Sequence, residues 1–141
     1  MIIDGQADFR RLLEQHVTTH WDDAVVSSYD PTESGHLPDE FSGASNDVVL
    51  LGDEQGDRDA RVTLRQFLGT PGFPAVVYFG DGAATEAAEI GASAVMRRSG
   101  IRHATLIAHI DNIMRSKHRA ASNVSLPLSA EKSCLNMKRV S

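Results

Sequence analysis

The chain has one cysteine and no long apolar run, and each shortage excludes a class of protein. Cys134 is the only cysteine among 141 residues, so neither an internal disulfide framework nor a zinc site built on paired cysteines is available. No stretch approaches the roughly 18 consecutive apolar residues that a membrane-spanning helix needs. We therefore expect a soluble domain of a reducing cytoplasm, without a membrane partner.

Excess positive charge is also lacking. The chain carries 14 basic and 19 acidic residues, for a net charge of −5, and its basic residues are spread along the sequence rather than gathered in a stripe. A surface that binds nucleic acid through phosphate contacts is therefore not expected. The apolar fraction of 41% is enough for one continuous core, which predicts one folded unit plus a tail.

What the sequence does contain is an alternation of strand and helix patterns. Short apolar runs predict strands at Met1–Asp4, Ala24–Ser28, Asp47–Leu51, Ala75–Phe79 and Ala94–Met96. Apolar residues at helical spacing predict helices at Gln6–His20, Asp57–Leu68, Ala83–Ile90 and Ile101–Met114, with at most one short helix around Pro38–Ser42. This alternation predicts an α/β fold, a doubly wound parallel sheet with helices on both faces.

The composition changes near the C-terminus. From Ser116 onward the chain is polar and includes Pro127, so we predict a domain over residues 1–115 and a linker or tail over residues 116–141. Residues Ser129–Lys132 could nucleate a short helix there.

The residues that follow the strands are the candidates for chemistry, because ligands of open parallel sheets bind at the carboxyl ends of the strands. Acids follow three of the strands, and arginines follow a fourth. The residues concerned are Asp4 and Gly5, Gly52 and Asp53, Gly80 and Asp81, and Arg97 and Arg98. Such a set could serve a site that handles a phosphate or a metal ion.

Four segments in this order are similar to the receiver domain of two-component response regulators, over about residues 2–115. They are Ile2–Leu13, Asp47–Gly52, Pro74–Gly80 and Ile90–Arg98. The resemblance implies a flavodoxin-like receiver fold of five parallel strands in the order 2-1-3-4-5, with the second helix reduced. It also implies that the last two strands and helices, here about Ala83–Met114, form a homodimer or partner surface.

The resemblance extends poorly to the functional positions of the family. Of the acid pair that binds a divalent cation only Asp4 is retained, since the next residue is Gly5. The phosphoacceptor aligns with Gly52, the hydroxyl residue with Gly80, the switch aromatic with Val95 and the lysine with Arg98, which Ser99 follows. The sequence therefore indicates a degenerate pocket with no catalytic residue and no resident cofactor.

Alternatives for this pocket rest on its remaining charges. A shifted Mg²⁺ site could use Asp4, Asp53 and Asp81, but acids at a sheet edge are more often solvated or paired with a neighbour such as Arg98. Asp53 could act as a displaced phosphoacceptor, although a shift of one residue along a strand turns a side chain to the opposite face. Alternatively, the space left by the glycines could hold an anionic small molecule near Arg98.

Two other patterns have simpler explanations. His16 and His20 lie at i, i+4 on the first helix, the spacing of metal-binding pairs, but the sequence offers no third ligand, so a structural or exposed role is the expectation. Arg97, Arg98 and Arg102 are expected to be solvated and paired with acids.

The sequence thus favours a receiver-like signalling module that is not phosphorylated and is not an enzyme. The family resemblance, including segments Tyr29–Pro31 and Thr70–Pro74 that are similar to receivers preceding bacterial output domains, implies regulation of a fused or separate output domain. Protein–protein contact or homodimerisation would carry that regulation.

Overall fold

A computed structural model of the chain describes residues 1–81 and 84–125. It contains ten elements in strict alternation of strand and helix. They are β1 (Ile2–Ile3), α1 (Ala7–His20), β2 (Ser28–Tyr29), α2 (Pro31–Ser34), β3 (Val48–Gly52), α3 (Ala60–Leu68), β4 (Ala75–Phe79), α4 (Ala84–Ile90), β5 (Ala94–Met96) and α5 (His103–Ser125).

The five strands form one parallel sheet in the order β2-β1-β3-β4-β5, which confirms the predicted fold class and strand order. Successive side chains of a strand point to opposite faces, so the sheet builds two cores. Leu50 and Val77 face helices α1 and α5, whereas Val49 and Val76 face α3 and α4. Both faces are covered, which explains why β3 and β4 are apolar at nearly every position.

The first edge of the sheet departs from the prediction. The second strand was predicted at Ala24–Ser28, but it is Ser28–Tyr29, and Val25 is 97% exposed. The reason lies in Asp30 and Pro31, which begin a helix directly after the strand. Asp30 Oδ1 accepts a hydrogen bond from the backbone N–H of Thr32, and Pro31 occupies the first turn, where a missing N–H costs nothing.

The resulting helix α2 is a single turn, and it replaces the short helix predicted around Pro38–Ser42, where the chain forms turns instead. That prediction was wrong because the capping signal lies eight residues before Pro38, at Asp30. The reduced second helix implied by the family resemblance is present.

The last helix is longer than predicted. It runs from His103 to Ser125, whereas the apolar pattern predicted an end at Met114. Ion pairs on its surface, between Asp111 and Arg115 and between Lys117 and Asp47, accompany the polar part of the helix. The division at residue 115 stays a prediction, and the short helix predicted at Ser129–Lys132 lies outside the described residues.

Within residues 1–81 and 84–125, no helix combines the length and the apolar character that crossing a membrane requires.

Candidate functional site

The carboxyl ends of β1, β3, β4 and β5 meet at one edge of the sheet, because the strands are parallel and adjacent. We call the region that they border the strand-end pocket and define it by Asp4, Gly52, Asp53, Gly80 and Arg98. The predicted residues that follow these strands are therefore brought to the same edge. The geometry between their side chains decides what the pocket can do.

The centre of the pocket is an ion pair between Arg98 and Asp4. Arg98 Nη1 donates to Asp4 Oδ2 and Nη2 donates to Asp4 Oδ1, both at 2.6 Å. The Asp4 side chain is 0% exposed and the Arg98 side chain is 14% exposed. A two-point pair of this kind fixes the guanidinium plane against the carboxylate, and its burial protects it from screening by salt.

Further contacts satisfy the remaining groups of both partners. Arg98 Nη1 also donates to Asp53 Oδ1 at 3.0 Å, and Nη2 donates to Gln6 Oε1 at 2.7 Å. The guanidinium carbon lies 4.0 Å from the centre of the Phe9 ring, a cation–π distance. The Asp4 carboxylate in turn accepts the backbone N–H of Gln6 at 2.8 Å and that of Glu54 at 3.3 Å. We call Arg98, Asp4, Asp53 and Gln6 the Arg98 cluster.

Asp81 positions the backbone that carries Arg98. Its Oδ1 accepts from the backbone N–H of Arg98 at 2.9 Å, from that of Ser99 at 3.2 Å and from Ser99 Oγ at 3.3 Å. The carboxylate thus fixes the turn after β5 and aims the arginine side chain across the sheet edge. Asp81 is a support of the cluster rather than a member of an acidic site.

The pKa values follow from this arrangement. Burial works to lower the pKa of Arg98, but the hydrogen bonds and charge of Asp4, with the charge of Asp53, hold it above its usual value. Burial raises the pKa of Asp53, against the opposing effect of Arg98. Hydrogen bonds from the backbone of Ser99 and Arg98 lower the pKa of Asp81. The guanidinium is therefore a permanent positive charge inside the pocket.

The glycine at the predicted phosphoacceptor position does not leave the space that the sequence suggested. A Cβ atom added to Gly52 would lie 2.0 Å from Asp4 Oδ2 and 2.9 Å from Arg98 Nη1. The expectation of an emptied pocket is therefore wrong at Gly52, because the ion pair fills the volume. At Gly80 an added Cβ would lie 2.9 Å from the Tyr78 ring and 3.1 Å from Asp53 Oδ2, and at Gly5 it would lie 2.5 Å from the Thr32 methyl group.

Asp53 also differs from its expected orientation. The sequence argument turned its side chain to the opposite face, but its carboxylate reaches Arg98 and is 36% exposed. The strand ends at Gly52, so strict alternation of side chains no longer applies one residue later. Val95 lies in β5 and packs against the core beneath α3 and α4, apart from the polar cluster.

The residues present do not fit the divalent cation that the fold family implies. Both oxygens of Asp4 are taken by Arg98, Gly5 has no ligand to offer, and Asp53 faces the same guanidinium. A cation would have to sit beside a buried positive charge. In the part of the chain that the structure describes, no three His, Cys, Asp or Glu side chains are grouped so as to hold a metal ion.

Sequence reasoning missed Gln6 and Phe9 as members of the pocket. Gln6 lies just before helix α1 and Phe9 in its first turn, directly after Asp4, so proximity in the chain was the available signal. Strand periodicity places the residues that end a strand. It does not say which side chains of the following helix turn back toward them.

Comparisons with known proteins support the fold. No family model matches the chain, and no curated protein matches it significantly. The chain is similar to a solved structure described as a response regulator receiver domain protein from Clostridium thermocellum, with a TM-score of 0.68 and 20% sequence identity. The match covers 84% of this chain and 95% of that one. At this identity the likeness establishes the receiver fold.

Proposed function

We propose that this chain is a receiver-like signalling module that does not accept a phosphoryl group and that regulates an output domain through protein–protein contact. The observation that carries the proposal is the Arg98–Asp4 pair, which fills the volume beside Gly52. The receiver fold supports a role in signalling; the chemistry of the pocket supports the absence of a phosphorylation switch.

Two requirements of phosphoryl transfer to a carboxylate are unmet around Gly52. Gly52 has no side chain to act as the nucleophile, and no free acid pair is left to hold a cation. Arg98 neutralises the buried carboxylate from within the protein. We infer that the pocket rests in one permanent state, which needs neither a cofactor nor a covalent modification.

The proposed partner surface is the face that includes α4, β5 and the first half of α5. It lies within the range Ala83–Met114 that the family resemblance implies as a partner surface. In the structure Ile107 and Ile110 belong to the core, whereas Ala88, Ala104 and Ala108 are exposed. Small exposed residues permit close approach of another helix, which favours contact with a second copy or with an output domain.

Incubation with acetyl phosphate and Mg²⁺, followed by mass spectrometry of the intact chain, tests the proposal. We expect no gain of a phosphoryl group in the wild type and none in Asp53→Asn. A stable phosphoryl adduct on the wild type that Asp53→Asn abolishes would instead establish Asp53 as the acceptor.

A second candidate function, phosphorylation of Asp53, rests on one specific observation. Asp53 is a partly exposed carboxylate one residue beyond Gly52, within the strand-end pocket. Its contact with Arg98 Nη1 opposes the role, because nucleophilic attack would have to break a charge-assisted hydrogen bond.

The third candidate, an anion sensor, meets a different obstacle. The two terminal nitrogens of Arg98 already donate to Asp4, Asp53 and Gln6, so an anion would have to displace a buried carboxylate. Thermal-shift measurements with nucleotides test it, since a ligand at 100 times its Kd stabilises the fold by about 2.7 kcal/mol. We expect no shift.

The proposed homodimer is tested by light scattering on Ala108→Arg and on Gln15→Arg as a matched control on α1. Both positions are exposed on helices, but only Ala108 lies on the proposed surface. We expect a dimer for the wild type and the control, and a monomer for Ala108→Arg. A wild type that remains monomeric at high concentration contradicts the dimer and leaves an output domain as the partner.

A further inference from the structure

A cleft lies at the opposite end of the sheet from the strand-end pocket, beside the amino-terminal ends of β1 and β3. Its volume is about 680 Å³, within the range of about 300–1,000 Å³ that small-molecule sites occupy. Helices α1 and α5 and the segment that joins α1 to β2 form much of its wall. We call it the basal cleft and define it by its apolar lining residues Val17, Trp21, Val26, Leu50, Ile110 and Met114.

The protein leaves part of this apolar wall uncovered. Leu50 and Ile110 are buried, but Val17 and Trp21 are only partly buried, although they pack against the same core. Val25 also lines the cleft, and it is 97% exposed. Because removal of apolar surface from water is favourable, a ligand with an apolar body is stabilised by covering these side chains.

Trp21 gives the cleft an aromatic wall at a fixed place. It ends helix α1, and its backbone N–H donates to the carbonyl oxygen of Val17 at 2.8 Å. The ring of His20 packs edge-on against it, with ring centres 4.5 Å apart. An indole ring attracts both the edge or face of another aromatic ring and a cation within about 6 Å of its centre. The wall therefore suits an aromatic ligand that carries a positive charge.

The charges around the cleft also favour a cation. On the side of the sheet Asp47 has a partner of its own, since Lys117 Nζ lies 3.0 Å from its Oδ1. On the other side Asp23 lines the cleft just beyond the C-terminal end of α1. The last carbonyl groups of a helix add partial negative charge at that end. The exposed rim at Asp23 therefore attracts a cation and repels an anion.

We propose that the basal cleft binds an aromatic amine, a small molecule with an apolar ring and a protonated amino group. The ring packs against Trp21, Val17 and Met114, and the ammonium group pairs with Asp23. The ligand thereby contacts α5, which is also part of the proposed partner surface. Binding does not depend on whether the chain is phosphorylated or on which partner it has.

Titration of the full chain with phenethylamine, followed through the fluorescence of Trp21, tests the site. Trp21 is the only tryptophan of the chain, so the emission reports on the cleft alone. We expect a saturable change in emission. Phenylpropionate has the same ring but a carboxylate in place of the amine, and it should bind at least about five-fold more weakly.

Two pairs of variants locate the binding. Asp23→Asn should weaken the binding of phenethylamine by about three-fold or more, because an exposed charge pair is lost. Asp22→Asn changes the neighbouring exposed acid, which lies outside the lining of the cleft, and should change the Kd by less than about two-fold. Ala24→Phe places a ring in the cleft and should abolish binding, whereas Ala7→Phe, at an exposed position near the start of α1, should not.

Circular dichroism without ligand checks that every variant folds. A folded wild type whose Trp21 emission shows no saturable change at millimolar phenethylamine would overturn the proposal, including the case in which another part of the chain fills the cleft. Equal affinities for phenethylamine and phenylpropionate would overturn it too. So would equal losses of affinity in Asp23→Asn and Asp22→Asn, or unchanged binding in Ala24→Phe.

Discussion

Two arginines at the same edge of the sheet each hold a pair of carboxylates, and their surroundings differ. In the Arg98 cluster, the arginine meets the buried Asp4 and the partly exposed Asp53. In the second cluster, Arg61 of α3 meets Asp59 and Glu86, and all three side chains are a third to a half exposed. We call Arg61, Asp59 and Glu86 the Arg61 cluster.

The difference shows that the number of ion pairs says little about how much each contributes to the stability of the fold. Water solvates the Arg61 cluster almost equally well whether it is formed or broken, so the net gain is small. A broken Arg98 cluster leaves a carboxylate that is 0% exposed without its counter-ion. Only the buried pair can determine the state of the pocket.

The largest expected effect comes from removing each arginine in turn. Arg98→Ala should lower the free energy of unfolding by about 3 kcal/mol or more, because Asp4 loses its two-point partner. Arg61→Ala should leave the unfolding midpoint in urea almost unchanged. Equal losses from the two variants would contradict the contrast between the clusters.

A smaller loss is expected from a methyl group placed inside the pocket. In Gly52→Ala the new Cβ would meet Asp4 Oδ2 at 2.0 Å, so the ion pair must shift. Overpacking of this kind costs about 1–3 kcal/mol, measurable by urea denaturation. If the variant is as stable as the wild type, the volume beside Gly52 is free and the proposed filling by Arg98 is wrong.

Within the Arg61 cluster, Asp59 should stabilise the fold more as the N-cap of α3 than through its charge. Asp59 is the N-cap of α3 and accepts the backbone N–H of Arg61 at 2.9 Å. Asp59→Ala should therefore lower the free energy of unfolding by about 1 kcal/mol. Asp57→Ala, at a fully exposed side chain two residues earlier, is the control and should change it little.

The smallest effect is a difference in titration between the two clusters. Burial raises the pKa of Asp53 above 3.8, whereas hydrogen bonds from Arg61 lower the pKa of Asp59 to about 2. The contribution of Asp53 to stability is present below its unfolded pKa and is lost as pH rises through its folded pKa. The contribution of Asp59 is present above pH 3.8 and is lost as pH falls toward 2.

Carbon-detected NMR of the two carboxyl groups measures both pKa values directly. We expect Asp53 to titrate at the higher pH. The reverse order would show that Arg98 controls Asp53 more strongly than burial does.

The sequence predicted the central sheet well because its strands are buried on both faces. The run Ala75–Phe79, at the centre of the sheet, is a strand with the predicted bounds, and so is the edge strand Ala94–Met96; strand order followed from the family resemblance. The other edge strand, β2, was misplaced because its two residues give almost no apolar signal, and because Asp30–Pro31 both ends a strand and starts a helix. Local signals of this kind are resolved only by the tertiary contacts.

The candidate site was likewise predicted only in part from the sequence. That Asp4, Asp53 and Arg98 share one edge followed from the parallel topology alone. That Arg98 spans the pocket and occupies the space beside Gly52 could not be predicted, because it depends on the reach of a long side chain and on the support of Asp81. The glycines of the pocket suggested empty space, whereas in the structure the side chain of Arg98 lies there as the counter-ion of Asp4.

The most direct measurement is an amide NMR spectrum recorded before and after addition of Mg²⁺ and beryllofluoride, which mimics an aspartyl phosphate. If Arg98 permanently fills the strand-end pocket, the resonances of Gly52, Asp53 and Arg98 stay in place. Movement of these resonances on addition of the mimic, and its loss in Asp53→Asn, would contradict the account.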